Sequence, residues 1–149
     1  RGIAKPVIGG HSMGGAVVLT MALRNPNAYA GLVLVGTGAR LRVLPAIFEM
    51  IKDNLNAAAE MMARSVYSTD FEACDRFDRM RDLGSIATPT IVIVGAEDTM
   101  TPVKYSLHLR DHMPNARLEV INDAGHMVML EQPEEFNALL ERFLEDLQR

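Results

Sequence analysis

Short apolar runs alternate with longer stretches of helical period along this chain, the pattern of strands joined by helices into a parallel sheet. The first run predicts a strand over Ile3 to Gly9, with Pro6 tolerable only near its start or on a sheet edge. GGHSMGG follows, and a helix is expected from about Met13 to Arg24, ended by Asn25 and Pro26. That helix is apolar almost all round (Ala16, Val17, Val18, Leu19, Met21, Ala22, Leu23), which predicts burial on more than one side. Gly31 to Gly36 is a continuous apolar run between glycines, as in a strand covered on both faces.

Residues 39–86 break the alternation. Their composition predicts two helices, near 44–66 and 70–83, and they hold four of the ten methionines: Met50, Met61, Met62 and Met80. Core filling is one reading of those side chains. A helical cap whose adaptable thioethers line an apolar pocket is the other. Asp75 and Asp78 read as solvated helix charges.

The alternation then resumes. Thr88-Pro89 introduces a strand over Thr90 to Val94. After GAED, Thr101-Pro102 reads as a helix start, Thr as N-cap and Pro at the first helical position, with the helix running to about Met113. A last strand is expected over Arg117 to Ile121. The final helix starts at Pro133, with Glu134 and Glu135 favourably placed in its first turn. Phe136, Leu139, Leu140, Phe143, Leu144 and Leu147 form one apolar stripe at helical period. There is no internal repeat and no low-complexity segment.

Composition narrows the class. The 149 residues amount to one domain, 48% hydrophobic and 23% charged, as in an ordinary globular protein. Lys plus Arg is 15 and Asp plus Glu is 19, so the formal charge is −4 and no basic field awaits nucleic acid. The single cysteine, Cys74, excludes an internal disulfide and any multi-cysteine metal site, leaving the cytoplasm as the default compartment. The longest apolar stretch, Ala16 to Leu23, falls far short of the roughly 20 residues that span a bilayer, so no membrane is expected. The opening RGIAKP has no apolar targeting core and no initiator Met, which suggests a processed chain or part of a longer one.

The chemistry concentrates in a few residues. Gly10-His11-Ser12-Met13-Gly14 fits G-x-S-x-G, in which a serine sits at a strained strand-to-helix turn. Gly10 and Gly14 would remove side chains that clash there, and Gly15 would let the helix pack closely on the strand. A serine hydroxyl is a weak nucleophile and needs a base, itself oriented by a third group. Of the four histidines, His126 lies in DAGHM, between the last strand and the last helix, where parallel-sheet enzymes carry their sites. His11 adjoins the serine and is expected to support the loop by a hydrogen bond. His108 and His112, four apart on a helix, read as a solvated face. For the orienting acid, Asp98 and Glu97 both follow the strand ending at Val94; Asp123, close in sequence to His126, reads as part of a turn.

GHSMGG, GLVLVGTGA, PTIVIVGAEDTMTP and DAGHMVMLEQPEEF together resemble the carboxyl-terminal part of an α/β-hydrolase-fold enzyme, of the subgroup of small esterases, enol-lactonases and related hydrolases with a short cap. The resemblance implies an α/β fold with a parallel sheet truncated to about four strands, a core of 1–38 and 87–149, and a helical cap inserted over 39–86. It makes Ser12 the nucleophile, Asp98 the acid, His126 the base, and the Met13 backbone N–H an oxyanion donor. It implies hydrolysis of a small carboxylic ester or lactone through an acyl-enzyme, with no cofactor and no metal. Family members carry roughly four further strands, in about 80–100 residues, before the nucleophile strand. That part normally holds the second oxyanion donor, often in an HG-containing loop, and no HG pair occurs here. The rival reading is therefore a non-catalytic binding module or an inactive fragment of the same fold. The nucleophile strand is expected at an open sheet edge, and that edge or the helix beside it to bury itself in a homodimer.

Overall fold

The computed structural model describes residues 5–43 and 69–148. Four parallel strands, β1 (Val7–His11), β2 (Gly31–Val35), β3 (Thr90–Gly95) and β4 (Ala116–Ile121), form one sheet in the order β1-β2-β3-β4. Helix α1 (Met13–Arg24) joins β1 to β2, and α2 (Val103–His112) joins β3 to β4. A short α3 (Val128–Glu131) and the long α4 (Pro133–Asp146) close the chain. The fold is the α/β arrangement expected, with four strands and with β1 at the edge among the described residues.

The apolar runs of β2 and β3 are explained by layers on both faces. Alternate side chains point to opposite sides of a strand. Leu32, Leu34 and Val92 accordingly join Leu19, Ala22, Leu109 and Met113 beneath α1 and α2. Val33, Val35, Ile91 and Ile93 join Val128, Leu139 and Phe143 beneath α4. Burying one such Leu or Ile contributes on the order of 1.5–3 kcal/mol.

Several boundaries differ from expectation, each for a local reason. The first strand begins at Val7, because Pro6 has no N–H for the ladder, and it continues through His11, paired with Val35. The Ile3 end of the predicted strand and the predicted helix over 44–66, with Met50, Met61 and Met62, lie outside the described residues. The helix expected over 70–83 ends at residue 76. Beyond it Asp78 is no solvated helix charge: it pairs with Arg40 and accepts the Met80 N–H at 3.0 Å. A 3₁₀ turn over Leu83–Ser85 follows. α2 starts at Val103 with Pro102, not Thr101, at its N-cap position. α1 buries Gly15, Ala16, Val18, Leu19 and Ala22 but leaves Met13, Val17 and Met21, spaced four apart, 38–52% exposed. One apolar face of that helix is covered, not several. Among the described residues no helix is long and apolar enough to cross a membrane.

Candidate active site

Parallel strands deliver their carboxyl ends to one edge of the sheet, and three loops meet there. Ser12 ends β1 with φ 53° and ψ −119°, a backbone conformation that a side chain rarely adopts. Three bonds hold it: its N–H donates to the Val35 carbonyl at 2.9 Å, and its carbonyl accepts the Thr37 hydroxyl at 2.7 Å and the Gly15 N–H at 3.0 Å. The glycines act unequally. A Cβ at Gly10 would collide with the Gly14 backbone, and one at Gly15 with the Thr37 side chain. A Cβ at Gly14 would meet nothing within 4 Å, so Gly14 itself is not sterically required, contrary to expectation. Met13 N–H opens α1, where the helix offers it no acceptor.

Asp98 follows β3, and its side chain is completely buried. Its carboxylate accepts four bonds. Oδ1 takes the backbone N–H groups of Met100 and Thr101 at 2.9 and 2.8 Å. Oδ2 takes the Thr101 hydroxyl at 2.8 Å and His126 Nδ1 at 2.9 Å. A carboxylate has about four lone-pair sites, so every one is used. Burial pushes this carboxyl upward, but the Thr101 amide, the His126 ring and the Thr101 hydroxyl outweigh it and hold it below the usual carboxylate range. Asp98 is therefore ionised at neutral pH. Its contribution to stability is complete above the ordinary carboxylate range and is lost as pH falls through its own lowered value.

His126 lies in the loop between β4 and α3. Because ionised Asp98 can only accept, Nδ1 carries the proton, and Nε2 is left with a lone pair in the neutral ring. The loop is pressed against the end of β3, where a Cβ on Gly95 would collide with the Ala124 and Gly125 carbonyls. Glu97 N–H donates to the Ala124 carbonyl at 2.9 Å, tying the Asp98 and His126 loops together. His11 does support the loop: its Nε2–H donates to the His126 carbonyl at 2.9 Å, and the two rings lie 4.5 Å apart. Burial lowers the His11 pKa, so it is neutral at pH 7, and the bond fixes its proton on Nε2. The structure thus joins Asp98 to His126 and sets Ser12 beside His11. No hydrogen bond links Ser12 to His126 among the described residues, a contact that is often open in unliganded sites.

The other sequence candidates lie apart. Glu97 contributes through its backbone only, and Asp123, at φ 52°, forms a turn whose carbonyl accepts from Gln132. His108 and His112 stack at 3.9 Å; His112 is exposed, as on a solvated face, while His108 is half-buried and lines a cavity of about 290 Å³ with Ala39, Arg42, Met80 and Tyr105. Among the described residues no group of three or more His, Cys, Asp or Glu is placed to hold a metal. Two contributors escaped the sequence reading. Thr101 reads as a helix cap, yet its amide and hydroxyl both bind Asp98; the spacing D-x-x-T is the available signal. Glu131, whose carboxylate accepts the Gly125 and Met127 N–H groups on either side of His126, has no comparable signal.

A serine on a strained strand–helix turn, with an Asp–His pair on later loops of the same sheet edge, is the layout of the α/β hydrolases. A model of the alpha/beta hydrolase family matches residues 1–139, and the chain belongs to that family. A solved thermophilic esterase is 43% identical, with TM-score 0.83, covering 96% of this chain and 67% of that one. Est816, described as an N-acyl homoserine lactone degrading enzyme, is 27% identical with TM-score 0.71, covering 92% and 66%. A 2-hydroxy-6-oxononadienedioate/2-hydroxy-6-oxononatrienedioate hydrolase of Dechloromonas aromatica (strain RCB) is 30% identical, over 96% of this chain and 63% of its own length. The chain thus spans about 63% of such curated relatives.

Proposed function

We propose that this site hydrolyses small carboxylic esters or lactones through an acyl-enzyme on Ser12. The observation that carries the reading is the buried, fully bonded Asp98 carboxylate holding His126 by Nδ1. With Nδ1 committed, Nε2 takes the Ser12 proton as Oγ attacks the carbonyl carbon. The Met13 N–H receives the developing oxyanion. His126 then returns the proton to the departing alkoxide, and water repeats the sequence in reverse to free Ser12. A rotation of the serine side chain about its Cα–Cβ bond closes the open Ser12–His126 contact, the ring staying on Asp98. Conversion of p-nitrophenyl acetate by the purified chain tests the reading; a folded protein with no turnover above a Ser12→Ala control contradicts it.

The esterase and lactone-degrading relatives support an ester-type substrate. The 2-hydroxy-6-oxononadienedioate/2-hydroxy-6-oxononatrienedioate hydrolase among the relatives favours a second carbonyl substrate, an oxo acid, for the same residues. The shortness of the segment 39–86 and its four methionines support assigning it as a cap with a small acyl pocket. Short and medium p-nitrophenyl esters are accordingly expected to give the highest kcat/KM in a chain-length series. A maximum at long, interfacial chains would contradict the cap assignment.

Assembly belongs to the same reading. Among the described residues β1 pairs with β2 on one side only, and Met13, Val17 and Met21 are exposed beside it. An unpaired strand edge recruits another chain. We expect a two-fold dimer through β1 or α1, seen by light scattering as a dimer mass that persists on dilution to micromolar concentration. A stable monomer whose free-edge amides at residues 7–11 exchange rapidly would refute it.

A further inference from the structure

A histidine that shuttles a proton must keep its ring fixed on the acid while its other nitrogen changes partner. Asp98 fixes the ring of His126; something must also fix the backbone that carries it. Glu131 sits on the exposed surface, where a carboxylate ordinarily turns to water. Here both oxygens turn to the chain instead. Oε2 accepts the Gly125 N–H at 2.8 Å, and Oε1 accepts the Met127 N–H at 2.9 Å. These are the backbone donors on either side of His126. From the opposite direction His11 Nε2–H binds the His126 carbonyl. The peptide of His126 is thus gripped by one side chain at both flanks and by another at its own carbonyl.

From this we propose that Glu131 is a positioning residue for His126, acting through the backbone of residues 125–127 and touching no reacting atom. The inference rests on His126 serving as the base. The chemistry requires a carboxylate: two equivalent acceptors on one planar group span two N–H donors two residues apart. The amide of glutamine offers one acceptor and turns an NH₂ against the second N–H. Charged acceptors also make the stronger bonds to backbone N–H groups. The competing role is purely structural. Glu131 ends α3, and its carboxylate caps the Met127 N–H at the helix start. A cap alone would change melting temperature and leave the reaction untouched.

The test compares wild type, Glu131→Gln and Glu131→Ala in the full chain. Ester turnover should lose about 10-fold in kcat for Gln and about 100-fold for Ala, with KM within about twofold, since a displacement of about 1 Å at a reacting group costs on that order. The ¹⁵N-labelled His126 Nδ1–H resonance is read in parallel by NMR. It should be sharp in wild type and broadened in Glu131→Ala, and it reports on the clamp even if no ester is turned over. That separates a failure of this inference from a failure of the hydrolase reading. Where Glu131→Ala does not fold, the Gln variant decides. Lower melting temperatures with unchanged kcat and an unchanged ring resonance would assign Glu131 to capping and overturn the proposal.

Discussion

Replacing Ser12 by alanine is expected to lower ester turnover by about 10⁴–10⁶-fold, the loss seen when a triad nucleophile is removed. The hydroxyl sits at the carboxyl end of β1, at the elbow with φ 53°, and the next side chains in line are His11 and Met13. Because alanine only deletes the oxygen, the bonds from Ser12 N–H to Val35 and from Thr37 to the Ser12 carbonyl persist. Melting temperature should therefore change little while the rate collapses. A fall of 10⁴-fold corresponds to about 5.5 kcal/mol of lost transition-state stabilisation. Steady-state kinetics beside a thermal melt checks both halves of the expectation.

The second large effect belongs to Asp98. In Asp98→Asn one oxygen becomes an NH₂, and no orientation of the amide fits. If the nitrogen replaces Oδ2, it faces the Nδ1–H of His126 and forces the proton to Nε2, so the base is protonated on the wrong nitrogen. If it replaces Oδ1, it faces the Met100 and Thr101 N–H groups. A loss of about 10⁴-fold in kcat is expected from the tautomer change. Unlike Ser12→Ala, this variant should also lose about 1–3 kcal/mol of stability, because buried donors are left unpaired. Denaturant unfolding measures the second term. Full activity in Asp98→Asn would remove Asp98 from the mechanism.

Much of this was legible before any coordinates. Strands buried on both faces announce themselves as continuous apolar runs, and Gly31–Val35 and Thr90–Gly95 fall within a residue of where such runs place them. α1 and α4 are bracketed by strong punctuation: Ser12 and Asn25 for the first, Pro133 for the second. The candidate residues were legible because strand ends are, and each candidate follows one. What stayed hidden depends on partners distant in sequence or on local competition. Asp78 leaves the predicted helix because Arg40, far upstream, pairs with it. Thr101 can cap a helix or bind a carboxylate, and only the buried Asp98 decides between them. Glu131 looks like any surface acid until the loop folds back on it. Apolar residues on α1 predict burial by composition, but composition does not say what lies opposite Met13, Val17 and Met21.

The loops also divide the work unequally. Asp98 and His126 are locked to each other and to the ends of β3 and β4 by backbone and side-chain bonds. Ser12 is locked only through its backbone, so its hydroxyl keeps the freedom to meet the substrate and the ring. On the proposed assignment, an acid and base held in advance beside a serine hydroxyl with no fixed partner would suit a reaction in which Oγ travels between His126 and a carbonyl carbon.

Whether Ser12 is an activated nucleophile is decided by treating the folded chain with a fluorophosphonate and mapping the product by peptide mass spectrometry. One phosphonyl adduct is expected, on Ser12, abolished by Ser12→Ala and slowed in Asp98→Asn. A folded chain that gains no adduct, or gains it on another residue, would mean that Ser12 is not the nucleophile.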